Sequence, residues 1–446
     1  MLFFVSLTAV SGAEEIMPKM DISGLLEEND FLISEYGETS TLYLYRALIY
    51  YNGKHFQAAL EAARQSQEIE DTPQAWQLIG MSTSRLGSHE AAADAFERVI
   101  SSRPEDPITR NMHAASLTQI GEGERAIESF KKAISLDPTY AAAHNNLGVA
   151  YYMLEDYGPA EHALKKAVKL DDETSVYQAN LAWVYYAKRD LKRAERASRS
   201  AQVLDRTNPH SYFISGNIAF ASGDYRGAYF SYQNGFGQIL NAQKWYFAGI
   251  SDFTTILNRR GANIVDSYYT SIAEKVVYEG TWDRLDVVEY KLKRYEKSLA
   301  AEYDKILIIE PDYLTVWLQF GYSALQIGKY PEALKAYEEA LKLDPQNVEA
   351  RIGSAHVIGK GGDYTMAIET LHAILVTHSD NGWGYYSRGE VQRLYGKYDE
   401  ATADLKKAIE LGYPKTVAYS SLEKIAFATD DPVMQTYYAL RGLLSI

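Results

Sequence analysis

The sequence predicts an all-α protein built from repeated helix hairpins, and three observations lead to this prediction. The first is a period of 34 residues, with blocks that begin at residues 73, 107, 141, 175 and 209 and again at 314, 348 and 382. The second is that position 20 of every block is alanine and position 8 is glycine or alanine. The third is a glycine in the middle of six blocks, where a turn would separate two helices. A fixed period of this length is typical of stacked two-helix repeats.

The pattern within each block supports the same fold. Apolar residues recur at positions 4, 7, 11, 20, 24 and 27, which is helical spacing. Pro104, Pro138 and Pro345 stand at position 32, where proline would end the second helix. One such repeat cannot bury its own apolar face, so neighbouring repeats must stack. The chain of 446 residues is therefore expected to form one elongated solenoid rather than about three separate domains.

The clearest block, residues 314–347, carries a recognisable set of residues. They are Trp317, Phe320, Gly321, Ala324, Ala333, Tyr337, Ala340 and Pro345. With these residues the sequence resembles the tetratricopeptide repeat family, and the resemblance extends over residues 40–446. It implies a right-handed α-solenoid of about 11 helix–turn–helix repeats.

Two segments precede the repeats. Residues 2–10 are apolar and are followed by Ser11, Gly12 and Ala13, which is typical of a cleaved signal peptide over residues 1–13, although no basic residue precedes the apolar run. We therefore expect an exported protein, periplasmic or extracellular, with a cytoplasmic location as the alternative. Residues 14–39 are acidic and form either a solvated leader or a first capping helix.

The repeats themselves divide into four predicted parts. Residues 40–242 form a first array of six repeats, and residues 314–415 form a second array of three. Residues 243–313 lie between the arrays as degenerate, aromatic-rich repeats with a three-residue insertion. This interruption is either an irregularity of packing or a hinge or specialised contact site. Residues 416–446 form a C-terminal capping partial repeat.

Composition and motifs exclude several classes of function. The absence of cysteine excludes disulfides, thiolate metal sites and a cysteine nucleophile. A net charge of −14 disfavours nonspecific binding of nucleic acid. No phosphate-binding glycine loop, metalloprotease motif or nucleophile elbow occurs in the sequence. We therefore expect neither an enzyme nor a bound metal or cofactor.

The resemblance also implies where a partner would bind. In this family the first helices of the repeats line a concave groove, and positions 2, 5, 6, 9, 12 and 13 face it. The candidate groove residues are Asn145, Asn146, Tyr152, Asn180, Trp183, Tyr186, Phe213, Asn217, Phe220, Tyr322 and Tyr386. An asparagine side chain both donates and accepts, so it can bind a peptide backbone, and aromatic faces are favoured at binding hot spots. In the alternative interpretation the aromatic residues pack between repeats and the asparagines are incidental.

The function expected from these observations is a noncatalytic scaffold or adaptor. It would bind a peptide or a helix of a partner protein in the groove, mainly within residues 141–242. The partner's identity is open, and a location near a membrane without a membrane span is compatible with the sequence. The alternative is a cell-envelope solenoid that holds a small apolar ligand or lipid in a closed cavity near residues 243–282.

Overall fold

The structure is a computed structural model that describes residues 22–238 and 306–443. The predicted signal peptide and most of the predicted degenerate stretch lie outside these residues. All regular secondary structure within the two described ranges is helical. The prediction of an all-α solenoid of helix hairpins is therefore confirmed.

The helices follow one another as antiparallel pairs in the predicted register. The first described range contains α1 (Ile22–Tyr36), α2 (Ser40–Asn52), α3 (Phe56–Ile69), α4 (Pro73–Arg85), α5 (His89–Ser102), α6 (Pro107–Gln119), α7 (Gly123–Leu136), α8 (Ala141–Met153), α9 (Tyr157–Leu170), α10 (Ser175–Ala187), α11 (Leu191–Leu204), α12 (Pro209–Ala221) and α13 (225–238). The second contains α14 (Tyr313–Gln326), α15 (Tyr330–Leu343), α16 (Val348–Lys360), α17 (Tyr364–Thr377), α18 (Gly382–Leu394), α19 (Tyr398–Glu410), α20 (Lys415–Ala428) and α21 (Pro432–Leu443).

The chain forms two compact units. Of the described residues, 22–211, 237–238 and 306–309 belong to the first unit, and 212–236 and 310–443 belong to the second. In both units the helices pack mainly against their neighbours in the sequence, as expected for stacked repeats.

Small residues set the close packing of the two helices in each repeat. The alanine at position 20 is fully buried in all eight blocks. The glycine at position 8 lies against the large residue at position 24 of the same repeat. A Cβ atom on Gly148 would come within 2.6 Å of the Leu164 side chain, and one on Gly321 within 2.8 Å of Tyr337. The glycine therefore makes room for the side chain that fills each repeat.

The turn inside each repeat requires a left-handed backbone at position 15. Gly121 has φ of 83° and Gly328 has φ of 76°, as the mid-block glycines predict. The two repeats without that glycine place Glu155 and Arg189 in the same conformation, with φ of 59° and 62°. The repeat geometry therefore imposes this turn even where the residue does not favour it.

The first helix in the described residues covers the start of the array. Helix α1 comprises part of the acidic segment and packs against α2 through buried Leu32 and Asn29. The Asn29 side chain donates to the carbonyl oxygen of Leu42 at 2.9 Å and accepts from Nε of Arg46 at 2.8 Å. A polar contact thus fixes the position of α1 on the first repeat.

Candidate functional site

Four asparagines lie on the first helices of three successive repeats in the first unit. They are Asn111 on α6, Asn145 and Asn146 on α8, and Asn180 on α10. All four are fully buried. Buried amides are costly unless they are hydrogen-bonded, so their partners indicate what this row of side chains is for.

The asparagines bond to one another along the array. Asn180 donates to Oδ1 of Asn145 at 2.9 Å, Asn145 donates to Oδ1 of Asn146 at 3.1 Å, and Asn146 donates to Oδ1 of Asn111 at 3.0 Å. The row ends where Asn111 donates to the hydroxyl of Tyr140 at 3.3 Å. These bonds fix the orientation of each amide group.

The amide groups of three of these asparagines also bind a segment of the chain's own backbone. Asn146 Oδ1 accepts from the Leu307 N–H at 2.8 Å, and Asn145 and Asn180 both donate to the Leu307 carbonyl oxygen, at 3.0 and 2.9 Å. Asn180 Oδ1 accepts from the Ile309 N–H at 2.9 Å. Residues two apart thus present their N–H groups to the same row, which is the course of an extended strand.

The side chains of this segment alternate in burial. Leu307 is 3% exposed and Ile309 is 4% exposed, whereas Ile308 between them is 36% exposed. We call the segment 306–309 the internal strand, and the row of asparagines with its surroundings the asparagine groove. The hydrogen bonds described between the asparagines and the internal strand all involve backbone atoms of the strand, and two of its side chains are removed from water.

Aromatic residues continue the face of α10 beyond Asn180. Trp183 is buried one turn further along, and the ring of Tyr186 meets it edge to face at 6.3 Å between centroids. Among the described residues the indole N–H of Trp183 has no acceptor. Burial raises the pKa of Tyr152, on the preceding repeat, to about 12, and it also raises the pKa of Tyr186. Both hydroxyls therefore stay neutral at physiological pH.

The other predicted groove residues belong to the second unit. Phe213 is fully buried, with its ring 5.0 Å from that of Phe236. Asn217 accepts from the hydroxyl of Tyr232 at 2.8 Å. The structure therefore brings Asn145, Asn146 and Asn180 into one hydrogen-bonded row and places Phe213 and Asn217 in the packed interior of a separate unit.

Aromatic rings surround the remaining three predicted residues. Phe220 and Tyr322 meet edge to face at 5.9 Å between centroids, and Tyr225 contacts both rings. Tyr386 stacks on Tyr413 with centroids 4.4 Å apart. Burial raises the pKa of Tyr322 to about 12. Phe220, Tyr322 and Tyr386 lie on first helices of the second unit, and they pack there against Tyr225 of α13 and Tyr413, which follows α19.

A buried ion cluster also lies on the first helices of the second unit. The Glu390 carboxylate is 3.1 Å from Nζ of Lys360 and 2.9 Å from Nε of Arg393. Burial alone would raise the pKa of Glu390, but the hydrogen bond from Arg393 and the charge of Lys360 hold it well below its usual range. Burial lowers the pKa of nearby His356 to about 3, so this ring is neutral at physiological pH. The described residues contain no cluster of three or more acidic or histidine side chains that could hold a metal ion.

The register also predicts Asn111 at a groove-facing position, because it occupies the same position of its repeat as Asn145. One part of the site was not predicted. The internal strand was hidden within a stretch interpreted as degenerate helical repeats. Its local signal was a run of four aliphatic residues at 306–309, three of them β-branched, followed by Glu310 and Pro311. The structure gives residues 306–312 no helix.

Comparison with protein families identifies the repeats. Profiles described as TPR repeat match residues 115–155 and 321–358, and profiles described as tetratricopeptide repeat match residues 73–106 and 141–174. The matches fall in both units. None of the helices in the described ranges is long and apolar enough to cross a membrane.

Individual relatives are similar over part of their length. Superkiller protein 3 of Schizosaccharomyces pombe is 26% identical over 167 residues, which is 36% of this chain and 12% of that protein. Tetratricopeptide repeat protein 6 of Homo sapiens is 27% identical over 140 residues, which is 31% of this chain and 27% of that protein. The chain thus spans well under half the length of either relative.

Solved structures give more distant similarities. The Cut9–Hcn1 hetero-tetramer of the APC/C aligns with a TM-score of 0.47 at 15% identity, covering 82% of this chain and 59% of that one. MamA of Desulfovibrio magneticus RS-1 aligns with a TM-score of 0.36 at 24% identity, covering 38% and 97%. The helix hairpins, their register and the profile matches together identify residues 73–106, 115–174 and 321–358 as tetratricopeptide repeats.

Proposed function

We propose that the chain is a noncatalytic protein–protein interaction scaffold whose asparagine groove binds an extended peptide. Tetratricopeptide repeats generally mediate contacts between proteins through concave surfaces. The observation that carries the proposal is the row of hydrogen bonds from Asn145, Asn146 and Asn180 to the backbone of residues 307–309. A groove that holds one extended backbone in this way has the chemistry to hold another.

The groove is suited to a peptide because its polar atoms are already oriented. Each asparagine that contacts the internal strand also bonds to a neighbouring asparagine, so little side-chain freedom remains to be lost on binding. Backbone recognition supplies affinity, and the pockets for alternate side chains supply specificity. Trp183 and Tyr186 extend the same face with the aromatic area that interfaces favour.

Nothing in the described residues favours the alternative of a small apolar ligand, and the cavity predicted near residues 243–282 lies outside them. A surface cleft of about 460 Å³ lies in the second unit. Its lining includes the charged side chains of Glu369, Arg388, Glu400 and Asp404.

The test of the proposed function uses a receptor whose groove has been emptied. The probe is a fluorescein-labelled peptide with the sequence of residues 304–311, and the receptor is the full chain carrying Leu307→Asp and Ile309→Asp. We expect saturable binding in a fluorescence anisotropy titration. Adding Asn180→Ala should weaken it by about 2–3 kcal/mol, roughly 30- to 150-fold in Kd, because two hydrogen bonds are lost and a buried N–H loses its acceptor.

A matched control is Asn52→Ala in the same receptor, since Asn52 lies at the end of α2 and outside the groove. This variant should bind the peptide as the receptor does. Equal binding with and without Asn180, or no binding by the emptied receptor, would contradict the proposed function.

A further inference from the structure

We propose that the internal strand is a replaceable ligand of the asparagine groove, and that the partner protein displaces it with an extended segment bearing large aliphatic residues at two positions separated by one. This inference rests on the proposed function of the groove as a peptide site. It adds the chemistry of the partner and the condition under which the partner binds.

The partner's chemistry follows from the contacts of the internal strand. Every hydrogen bond described between the asparagines and the internal strand involves the N–H or carbonyl of Leu307 or the N–H of Ile309, so these bonds do not depend on the strand's side chains. The side chains of Leu307 and Ile309 are almost completely buried, whereas Ile308 is 36% exposed. A segment that replaces the strand must therefore offer two large aliphatic side chains and leaves the residue between them free.

The strand is replaceable because nothing in its polar contacts is peculiar to it. Any extended backbone presents the same N–H and carbonyl groups at the same two-residue spacing. Replacement also leaves no asparagine amide unpaired, since the incoming backbone supplies the same two N–H donors and the same carbonyl acceptor. The exchange between an internal and an external segment therefore changes the number of hydrogen bonds very little. Which segment occupies the groove depends on its two buried side chains and on its effective concentration.

In the absence of a partner, effective concentration favours binding of the internal strand. Its binding is intramolecular, and a tethered ligand acts at an effective concentration of the order of mM for short linkers and less for longer ones. In most molecules the groove therefore already holds the internal strand. The apparent affinity of a free peptide with equal intrinsic affinity is the intrinsic affinity multiplied by the fraction of molecules whose groove is open. The natural partner must bind more tightly than the strand or at additional contacts.

The experiment compares three full-length chains with the labelled peptide of residues 304–311. These are the natural sequence, the pair Leu307→Asp with Ile309→Asp, and the control Ile308→Asp, whose side chain already faces water. We expect the pair to bind the peptide at least tenfold more tightly than the natural chain. The control should bind it no more than about twofold more tightly, because a solvated side chain contributes little to holding the strand.

The same titration tests the partner's chemistry on the peptide. Aspartate in place of the peptide residue that corresponds to Leu307 or Ile309 should abolish binding to the emptied groove, whereas lysine in place of the one that corresponds to Ile308 should leave it within about twofold. Loss of binding with that lysine peptide would overturn the proposed apolar–free–apolar pattern.

The remaining outcomes separate this inference from the proposed function. If the natural chain binds as tightly as the emptied one, the strand does not compete and the inference fails, while the groove remains a peptide site. If the helical signal collapses both in the Asp pair and in Leu307→Ala with Ile309→Ala, the strand is part of the fold and the inference fails. If the natural chain sediments as a dimer and the Asp pair as a monomer, a second copy supplies the strand, which also overturns the internal arrangement.

Discussion

Glu390 is the buried carboxylate at the centre of the ion cluster in the second unit. Its side chain is 3% exposed and is held between Lys360 and Arg393, which are themselves about one-fifth exposed. A buried carboxylate of this kind keeps its charge only because both cations face it. Removing it would leave two partly buried positive charges close together.

The pKa of Glu390 gives the stability of the second unit a predictable pH dependence. Because the pKa is lowered on folding, the stabilisation is fully present above the unfolded value near pH 4.3 and is lost as pH falls below it. We expect Glu390→Gln to cost about 2–3 kcal/mol at pH 7, below the usual range for a buried pair because its partners are partly exposed. The difference from the natural chain should shrink by about 1.4 kcal/mol for each pH unit below about 4.3.

Urea unfolding of both chains at pH 7, 5 and 3 measures this difference. Glu410→Gln is the matched control, because Glu410 also pairs with a lysine, Lys407, but is 66% exposed. Its effect should stay within about 0.5 kcal/mol at every pH. A Glu390 effect that does not change between pH 7 and pH 3 would show that the ion cluster does not stabilise the charged form.

At the scale of single residues, much of the asparagine groove could be predicted from the register. Positions 5 and 6 of the first helices point the same way in each repeat, so Asn145, Asn146 and Asn180 were recognisable before any coordinates were known. The hydrogen-bond partners of these asparagines could not be predicted, because the backbone that they bind lies 127 residues or more away along the chain. Local patterns carry no information about such a partner.

At the scale of helices and turns, the repeat period predicted most of the described architecture. Each glycine, alanine and proline of the pattern has a local physical reason, so the turns and helix ends follow from the sequence alone. The internal strand is the exception. Its aliphatic run fits a buried strand or part of a buried helix equally well, and only a surface elsewhere in the first unit decides between them.

The turn at Glu155 provides a test of the repeat geometry. Glu155 is exposed and has φ of 59°, a conformation that costs a residue with a side chain about 1–2 kcal/mol. Replacing it with glycine removes that strain but adds about 0.5–1 kcal/mol of backbone entropy cost. We therefore expect Glu155→Gly to raise the unfolding free energy by about 0.5–1 kcal/mol in urea titrations.

Gly121 is the reciprocal control, because it occupies the same turn position with φ of 83° and no atom near a built Cβ. Gly121→Ala should destabilise the chain by about 1 kcal/mol through backbone strain alone. If both substitutions change stability in the same direction, the left-handed turn is not the shared cause.

At the scale of the whole molecule, stacked repeats distribute stability between neighbours. Helices contact mainly the next helices along the chain, so damage should remain within the unit that contains it. We expect Ala194→Trp, at a fully buried position 20 on α11, to overpack the first unit by at least about 1–3 kcal/mol. Hydrogen exchange should then quicken in α8–α11 while α16–α21 keep their protection.

Val203 on the same helix is the matched control, since it is 74% exposed. Val203→Trp should leave hydrogen exchange unchanged in both units. Faster exchange throughout α16–α21 in Ala194→Trp would mean that the two units unfold as one, and unchanged exchange in α8–α11 would mean that position 20 is not the tight contact within each repeat.

If a partner binds the asparagine groove as proposed, the hydrogen bonds there constrain how that partner can change over evolution. Because the asparagines bond to the backbone, the exposed position of a bound segment can be substituted freely, and the two buried positions can exchange one aliphatic residue for another. Proline is different, since it has no N–H to donate and would remove a hydrogen bond at either buried position. The sequence of the partner's segment could therefore vary widely while the interaction is kept. A single substitution to proline at a buried position would be enough to lose it.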